Sequence, residues 1–174
     1  MRILLVVVIV IVALVVYVAT RPAEFRIART ATIAAPAPAV FALVNDFHNW
    51  EAWSPWARID PGMKQTFEGA AAGTGAVSAW AGNREVGEGR MTMTESRPPE
   101  LIRIRLEFAK PFTATNTAEF AFKADGDRTT VTWSMEGRKN FVTKAVGLVM
   151  SMDRMVGGQF EKGLAEMKRL AESR

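Results

Sequence analysis

One histidine, one tyrosine and no cysteine limit what this 174-residue chain can do chemically. Without cysteine there are no disulfides, no thiolate nucleophile and no sulfur-dependent zinc site, and a single imidazole excludes multi-histidine metal sites. No cofactor or metal is therefore expected. His48 lies close to Asp46 and Glu51, which offers a histidine–carboxylate pair for acid–base work. On a short amphipathic helix the same position suits an ordinary surface residue, and that reading is the simpler one. Asn116 shares the parity of Phe112, Ala114, Ala118 and Phe120, so its amide points inward as a polar anchor unless a strand bulge turns it to solvent. His48, Asp46 and Asn116 are the residues an enzyme reading would have to use. No Ser-His-Asp set or paired carboxylates on one element stand out, so nucleophilic catalysis has no support. Gly69-x3-Gly73-x-Gly75 lacks the lysine of a phosphate loop, and Gly87-x-Gly89 lacks the third glycine and following helix of a dinucleotide fingerprint.

The apolar residues say more. Trp50, Trp53 and Trp56 recur at intervals of three, with Trp80 and Trp133 elsewhere, and form either an aromatic mouth for an apolar or cationic ligand or a plug at one end of the core. Met91 and Met93 share a strand face, Met135 faces the expected core, and Met150, Met152, Met155 and Met167 fall on the terminal helix. Flexible thioethers suit both irregular cores and adaptable pockets. Gly157, Gly158 and Gly163 each disfavour a helix by up to ~1 kcal/mol relative to alanine, so close helix-to-sheet packing or ligand room must need the space.

The elements that position these residues begin with seventeen uncharged residues, Ile3 to Ala19, eleven of them Ile or Val. A helix of this length spans about 25 Å, slightly less than the ~30 Å hydrocarbon core of a bilayer. In lipid only the helix satisfies its backbone groups, so the β-branched composition does not make it a strand. The end of the run, Tyr17-Val18-Ala19-Thr20-Arg21-Pro22, lacks a good small-x-small cleavage site, and an uncleaved single-pass membrane anchor is expected over residues 1–22. Flanking charges nearly balance, so they do not decide which side the remainder occupies.

Residues 23–174 read as one domain. A first strand is expected at about 24–33, then a helix carrying Val40, Phe41 and Val44, then a second short helix with Phe47, Trp50 and Trp53 that ends at Ser54-Pro55. Six strand-like runs follow, near 64–69, 74–82, 85–95, 101–109, 112–124 and 128–137, separated by turn signals such as Pro98-Pro99 and Asp125-Gly126-Asp127. Ile102, Ile104, Leu106 and Phe108 alternate with Arg103, Arg105 and Glu107, giving one buried face and one wet one. Ala145, Val149, Met152, Val156, Phe160, Leu164, Met167 and Ala171 then recur at helical spacing, which predicts one long amphipathic terminal helix. The net charge is only +4, and the basic residues interleave with acidic ones, so no nucleic-acid partner is expected.

This order predicts an α+β fold: a curved, seven-stranded antiparallel sheet wrapped around the terminal helix, with a cavity between them. The blocks Val44-Asn45-Asp46-Phe47-His48-Asn49-Trp50-Glu51-Ala52-Trp53-Ser54-Pro55-Trp56, Gly73-Thr74-Gly75-Ala76 and Met155-Val156-Gly157-Gly158-Gln159-Phe160 resemble membrane-anchored members of the SRPBCC superfamily, often labelled polyketide cyclase/dehydrase. The resemblance runs from about residue 24 to 170. It implies the START-like helix-grip fold and an internal pocket for a hydrophobic small molecule or lipid, while the superfamily mixes carriers, receptors, cyclases and binders. The expected lining is Trp53, Trp80, Met91, Met93, Ile104, Phe108, Asn116, Phe120, Trp133, Met152, Val156 and Phe160. Hydrophobic-ligand binding leads, and a cyclase/dehydrase-type enzyme or a ligand-free protein-interaction module is the alternative.

Overall fold

The computed structural model of the chain describes residues 2–148 and 151–173. An apolar helix, α1 (Arg2–Thr20), leads into β1 (Glu24–Ile33); α2 (Ala37–Asn45), a 3-10 turn over Phe47–Ala52 and α3 (Pro55–Ile59) follow. Six strands come next: β2 (Lys64–Gly69), β3 (Ala76–Ala81), β4 (Glu88–Arg97), β5 (Leu101–Lys110), β6 (Ala114–Asp125) and β7 (Arg128–Arg138). The chain ends in α4 (Phe141–Val146) and α5 (Met152–Glu172).

The seven strands form one antiparallel sheet in the order β1-β7-β6-β5-β4-β3-β2, so the first strand closes the meander beside the last. This is the helix-grip arrangement. Short links enforce the meander. Asp125 pairs with Arg128 across a two-residue loop, and Gly126 alone takes the positive φ, as a type II′ hairpin turn requires. Register shifts at Glu88/Gly89 and Met93/Glu95 bend β4 and curve the sheet.

Alternation sends one set of side chains to the concave face. Ile102, Phe120 and Trp133 are opposite one another on β5, β6 and β7, and each is at most 3% exposed. Phe160 of α5 stacks on Trp133 at 4.1 Å between ring centroids, and Trp133 stacks on Phe120 at 4.7 Å. Trp53 meets both of those sheet rings edge-on. The indole N–H groups of Trp50 and Trp53 donate to the carbonyls of Val44 and Leu43, both at 2.9 Å. This satisfies the polar atoms that burial would otherwise strand. The tryptophans of the short helices are thus a plug sealing one end of the core.

The expected single terminal helix is two helices. α4 ends at Val146, and α5 starts at Met152, capped by the Ser151 hydroxyl, which accepts from the Arg154 N–H. Apolar spacing continued across the joint, but the caps decide: Gly147 stops the first helix and Ser151 opens the second. Val149 and Met150, assigned to that helix by their spacing, lie outside the described residues.

The glycines of α5 separate by role. A β-carbon at Gly163 would meet the Trp133 ring at 2.8 Å and Pro55 at 3.2 Å, whereas one at Gly158 would meet nothing within 4 Å. Gly158→Ala should therefore raise stability by about 0.5–1 kcal/mol and Gly163→Leu lower it by about 1–3 kcal/mol. Urea unfolding of the full chain in micelles, followed by tryptophan emission, measures both. Equal shifts in the two variants would contradict this packing.

Candidate ligand site on the concave face

The register places one row of directly paired residues across all seven strands: Phe67, Ser78, Met91, Leu106, Asn116, Gly137 and Phe25. It lies two residues along each central strand from the next row, which contains Met93, Ile104, Ala118, Met135 and Ile27. That inner row is sealed, with Met93 and Ile104 fully buried. In the outer row Met91, Leu106 and Phe25 are only half-buried, as are Met152 and Val156 in the first turns of α5. The concave face therefore grades from a solid aromatic end to an apolar trough.

Asn116 sits in the floor of this trough. It is 8% exposed, and its carboxamide makes no side-chain hydrogen bond among the described residues, though unlike the Ser78 hydroxyl it is not sealed from solvent. Its neighbour on β7 makes room for it, since a β-carbon on Gly137 would lie 2.0 Å from the Asn116 Oδ1. A guest supplying a donor or acceptor there would gain about 0.5–1.5 kcal/mol from one hydrogen bond. Ser78, three strands away, is 1% exposed with an unpartnered hydroxyl, but it is covered.

The expected lining residues thus divide three ways. Met91 and Asn116 lie in the outer row on β4 and β6, and Met152 and Val156 are half-buried in the first turns of α5, packed against the core. Trp53, Met93, Ile104, Phe120, Trp133 and Phe160 are core, none more than 3% exposed. Trp80 of β3 and Phe108 of β5 pair edge-to-face at 5.7 Å near the ends of their strands, over Gly89 of β4, where a β-carbon would strike the Trp80 ring. Sequence reasoning missed Leu106 and Phe25 as lining residues, although both have inward parity.

It also missed Arg29. This residue has the parity of Ile27 and Ile33, so it rises from the concave face of β1 opposite Trp133. Its guanidinium makes a two-pronged contact with Asp153 at 2.9 and 3.0 Å and bonds Glu161 through Nε. Gly157, between those acids on α5, is where a β-carbon would collide with it. The hydrogen bonds to Asp153 and then Glu161 hold Arg29 more firmly protonated than usual, and the bond from Arg29 holds the Asp153 carboxyl below its ordinary value. This clamp seats α5 mainly along β1, leaving Met91 and Leu106 of the middle strands only half-buried.

The acid–base candidates do not converge. His48 Nδ1 lies 2.7 Å from Asp46 Oδ1, but the pair is exposed and the imidazole packs against Phe67 of β2. Asn116 is four strand spacings away on β6, roughly 19 Å. Two open grooves are present among the described residues. One, of about 580 Å³, includes Phe25, Asn116 and Gly137 of the outer row together with polar neighbours such as Arg26, Thr117 and Glu136. The other, of about 340 Å³, runs between α3 and α5, where Arg58 pairs with Glu166 at 2.8 Å.

A curved antiparallel sheet and a terminal helix laid across it define a helix-grip domain. The chain belongs to the polyketide cyclase/dehydrase and lipid transport family, whose pattern matches residues 24–172. No curated protein matches it. Among solved structures, a protein of Chromobacterium violaceum aligns at 15% identity with a TM-score of 0.61, covering 87% of this chain and 99% of that one. The di-domain ARO/CYC protein BexL aligns at 18% identity with a TM-score of 0.65, covering 90% of this chain and 53% of its own. The di-domain ARO/CYC protein StfQ from the steffimycin biosynthetic pathway aligns at 12% and 0.63, covering 87% and 52%. At these identities the likeness concerns the fold.

The clamp predicts a pH response. A carboxyl depressed in the folded state stabilises above its unfolded pKa and stops doing so as pH falls through the folded value. The thermal midpoint of the native chain should therefore drop between about pH 5 and pH 3. Asp153→Asn should start lower at neutral pH and lose less over that interval, read by scanning calorimetry. Identical pH slopes in the two chains would remove the clamp from the account.

Proposed function

We propose that the domain binds a hydrophobic molecule carrying at least one hydrogen-bonding group, held in the trough with its apolar part on Met91, Leu106, Phe25, Met152 and Val156. The observation that carries this reading is Asn116: a polar side chain nine-tenths buried, paired across the sheet with Leu106 and Gly137, lining an open groove and making no side-chain hydrogen bond among the described residues. Each methylene of a guest that enters the trough contributes about 0.8 kcal/mol, and the amide fixes orientation. A lipid or a polyketide-like compound has both features, which agrees with the family description. Helix α1 is long and apolar enough to cross a membrane, so the same reading makes this a membrane-anchored binding domain.

Cyclase or dehydrase chemistry is the second reading, and the ARO/CYC proteins among the structural neighbours favour it. The trough offers it little: Asn116 can polarise a carbonyl, but His48 and Asp46 are too distant to exchange protons with a guest there.

A fatty acid bearing a diazirine, photolysed with the full chain in micelles, tests the leading reading. Labels are expected on peptides of β4, β5 and the start of α5. Asn116→Leu should cut that labelling about 5–10-fold, for loss of one hydrogen bond. Labels confined to α1, or unchanged in Asn116→Leu, would overturn it.

A further inference from the structure

Antiparallel pairing puts the starts of β1 and β6 and the ends of β5 and β7 at one end of the sheet. The apolar helix α1 enters at this end, and the chain there is tied to α4. Lys139 N–H donates to the Ala23 carbonyl at 2.7 Å, Lys144 Nζ donates to the Ala19 carbonyl at 3.1 Å, and Val18 is 2% exposed near the α1–α4 contact. Yet α4 itself buries no residue: Phe141, Val142 and Val146 are each about half exposed, as is Leu148 just beyond. A six-residue helix is far too short to persist on its own propensity, and one with an unburied apolar surface needs a nonaqueous neighbour. Phe112, 59% exposed in the β5–β6 turn, adds a second apolar projection at the same end. Between them stand Arg21, Arg138, Lys139 and Lys144, none of which pairs with a carboxylate among the described residues.

We propose that this end of the domain is a bilayer-contacting face, with α4 lying in the headgroup layer, Phe112 as a second apolar contact and the four basic residues facing anionic lipid. The inference rests on α1 spanning a membrane. If it does, α4 is held at the bilayer surface by its own bonds to the last turn of that span, and an apolar exposed helix with a lysine beside it suits that depth. Asn116, Gly137 and Phe25 all lie within three residues of the strand ends at this face, so the trough opens toward the membrane. A lipid-like guest then passes from the bilayer to Asn116 without crossing bulk water.

The native chain has no cysteine, so single probes are clean. Val142→Cys, Phe112→Cys and, at the far end of β6, Lys123→Cys would each carry an environment-sensitive fluorophore in the full chain, reconstituted in phosphatidylcholine/phosphatidylserine vesicles. All three positions are exposed, so labelling disturbs no packed core. Spin-labelled lipid should cut emission about two-fold or more at 142 and 112 and leave 123 unchanged, and the chain should survive alkaline carbonate. Retention in carbonate with no quenching at 142 and 112 overturns the bilayer face alone. Release by carbonate overturns the span and the face with it. Quenching that depends on protein density and not on spin-labelled lipid assigns the surface to a second copy and overturns the proposal.

Discussion

The stack of Phe160 on Trp133 decides where α5 can sit, and the rest of the molecule follows from that seat. Gly163, one turn on, is bare so that the ring can approach, and Phe120 and Trp53 close the stack from the sheet and the short helices. Arg29 fixes the other half of the helix by reaching up from β1 to Asp153 and Glu161 across Gly157. With both ends pinned toward β1 and β7, α5 cannot lie over the middle strands along their whole length. The aromatic end is filled; the end near the start of β1 is left open, with Phe25 and Asn116 lining a groove there.

Two demands on the same sheet are met by a division of labour. Stability comes from the inner rows, where Ile102, Phe120 and Trp133 are sealed beneath Phe160, Leu164 and Met167. In the proposed reading, function falls to the outer row, whose methionine is adaptable and whose amide can orient a guest. A family that combines cyclases with lipid carriers can share such a plan, since the chemistry is set by the few polar groups in the trough and not by the sheet.

Much of this was legible in the sequence because β-periodicity is local. Strand β1 lies at the positions read from alternation, Asp125-Gly126-Asp127 makes the expected hairpin, and Asn116 points inward as its parity requires. What was not legible depends on partners far along the chain. Arg29 looked like one of several basic residues after the apolar segment, yet its acids are 124 and 132 residues away and nothing near it announces them. The division of the lining into core and trough was equally hidden: Met93 and Met91 are indistinguishable by parity, and only packing against elements distant in the chain separates a sealed residue from an open one. The joint before α5 was masked by continuous apolar spacing, although Gly147 and Ser151 carried the stop and start signals.

The central claim is that the outer row of the concave face holds a guest. Native mass spectrometry of the full chain released from micelles tests it most directly, with Met91→Trp and Leu106→Trp variants that fill the trough without touching the sealed rows. The account predicts a bound amphiphile on the native chain that is lost from both variants. A native chain that carries nothing when offered lipid, or variants that retain the same guest, would contradict it.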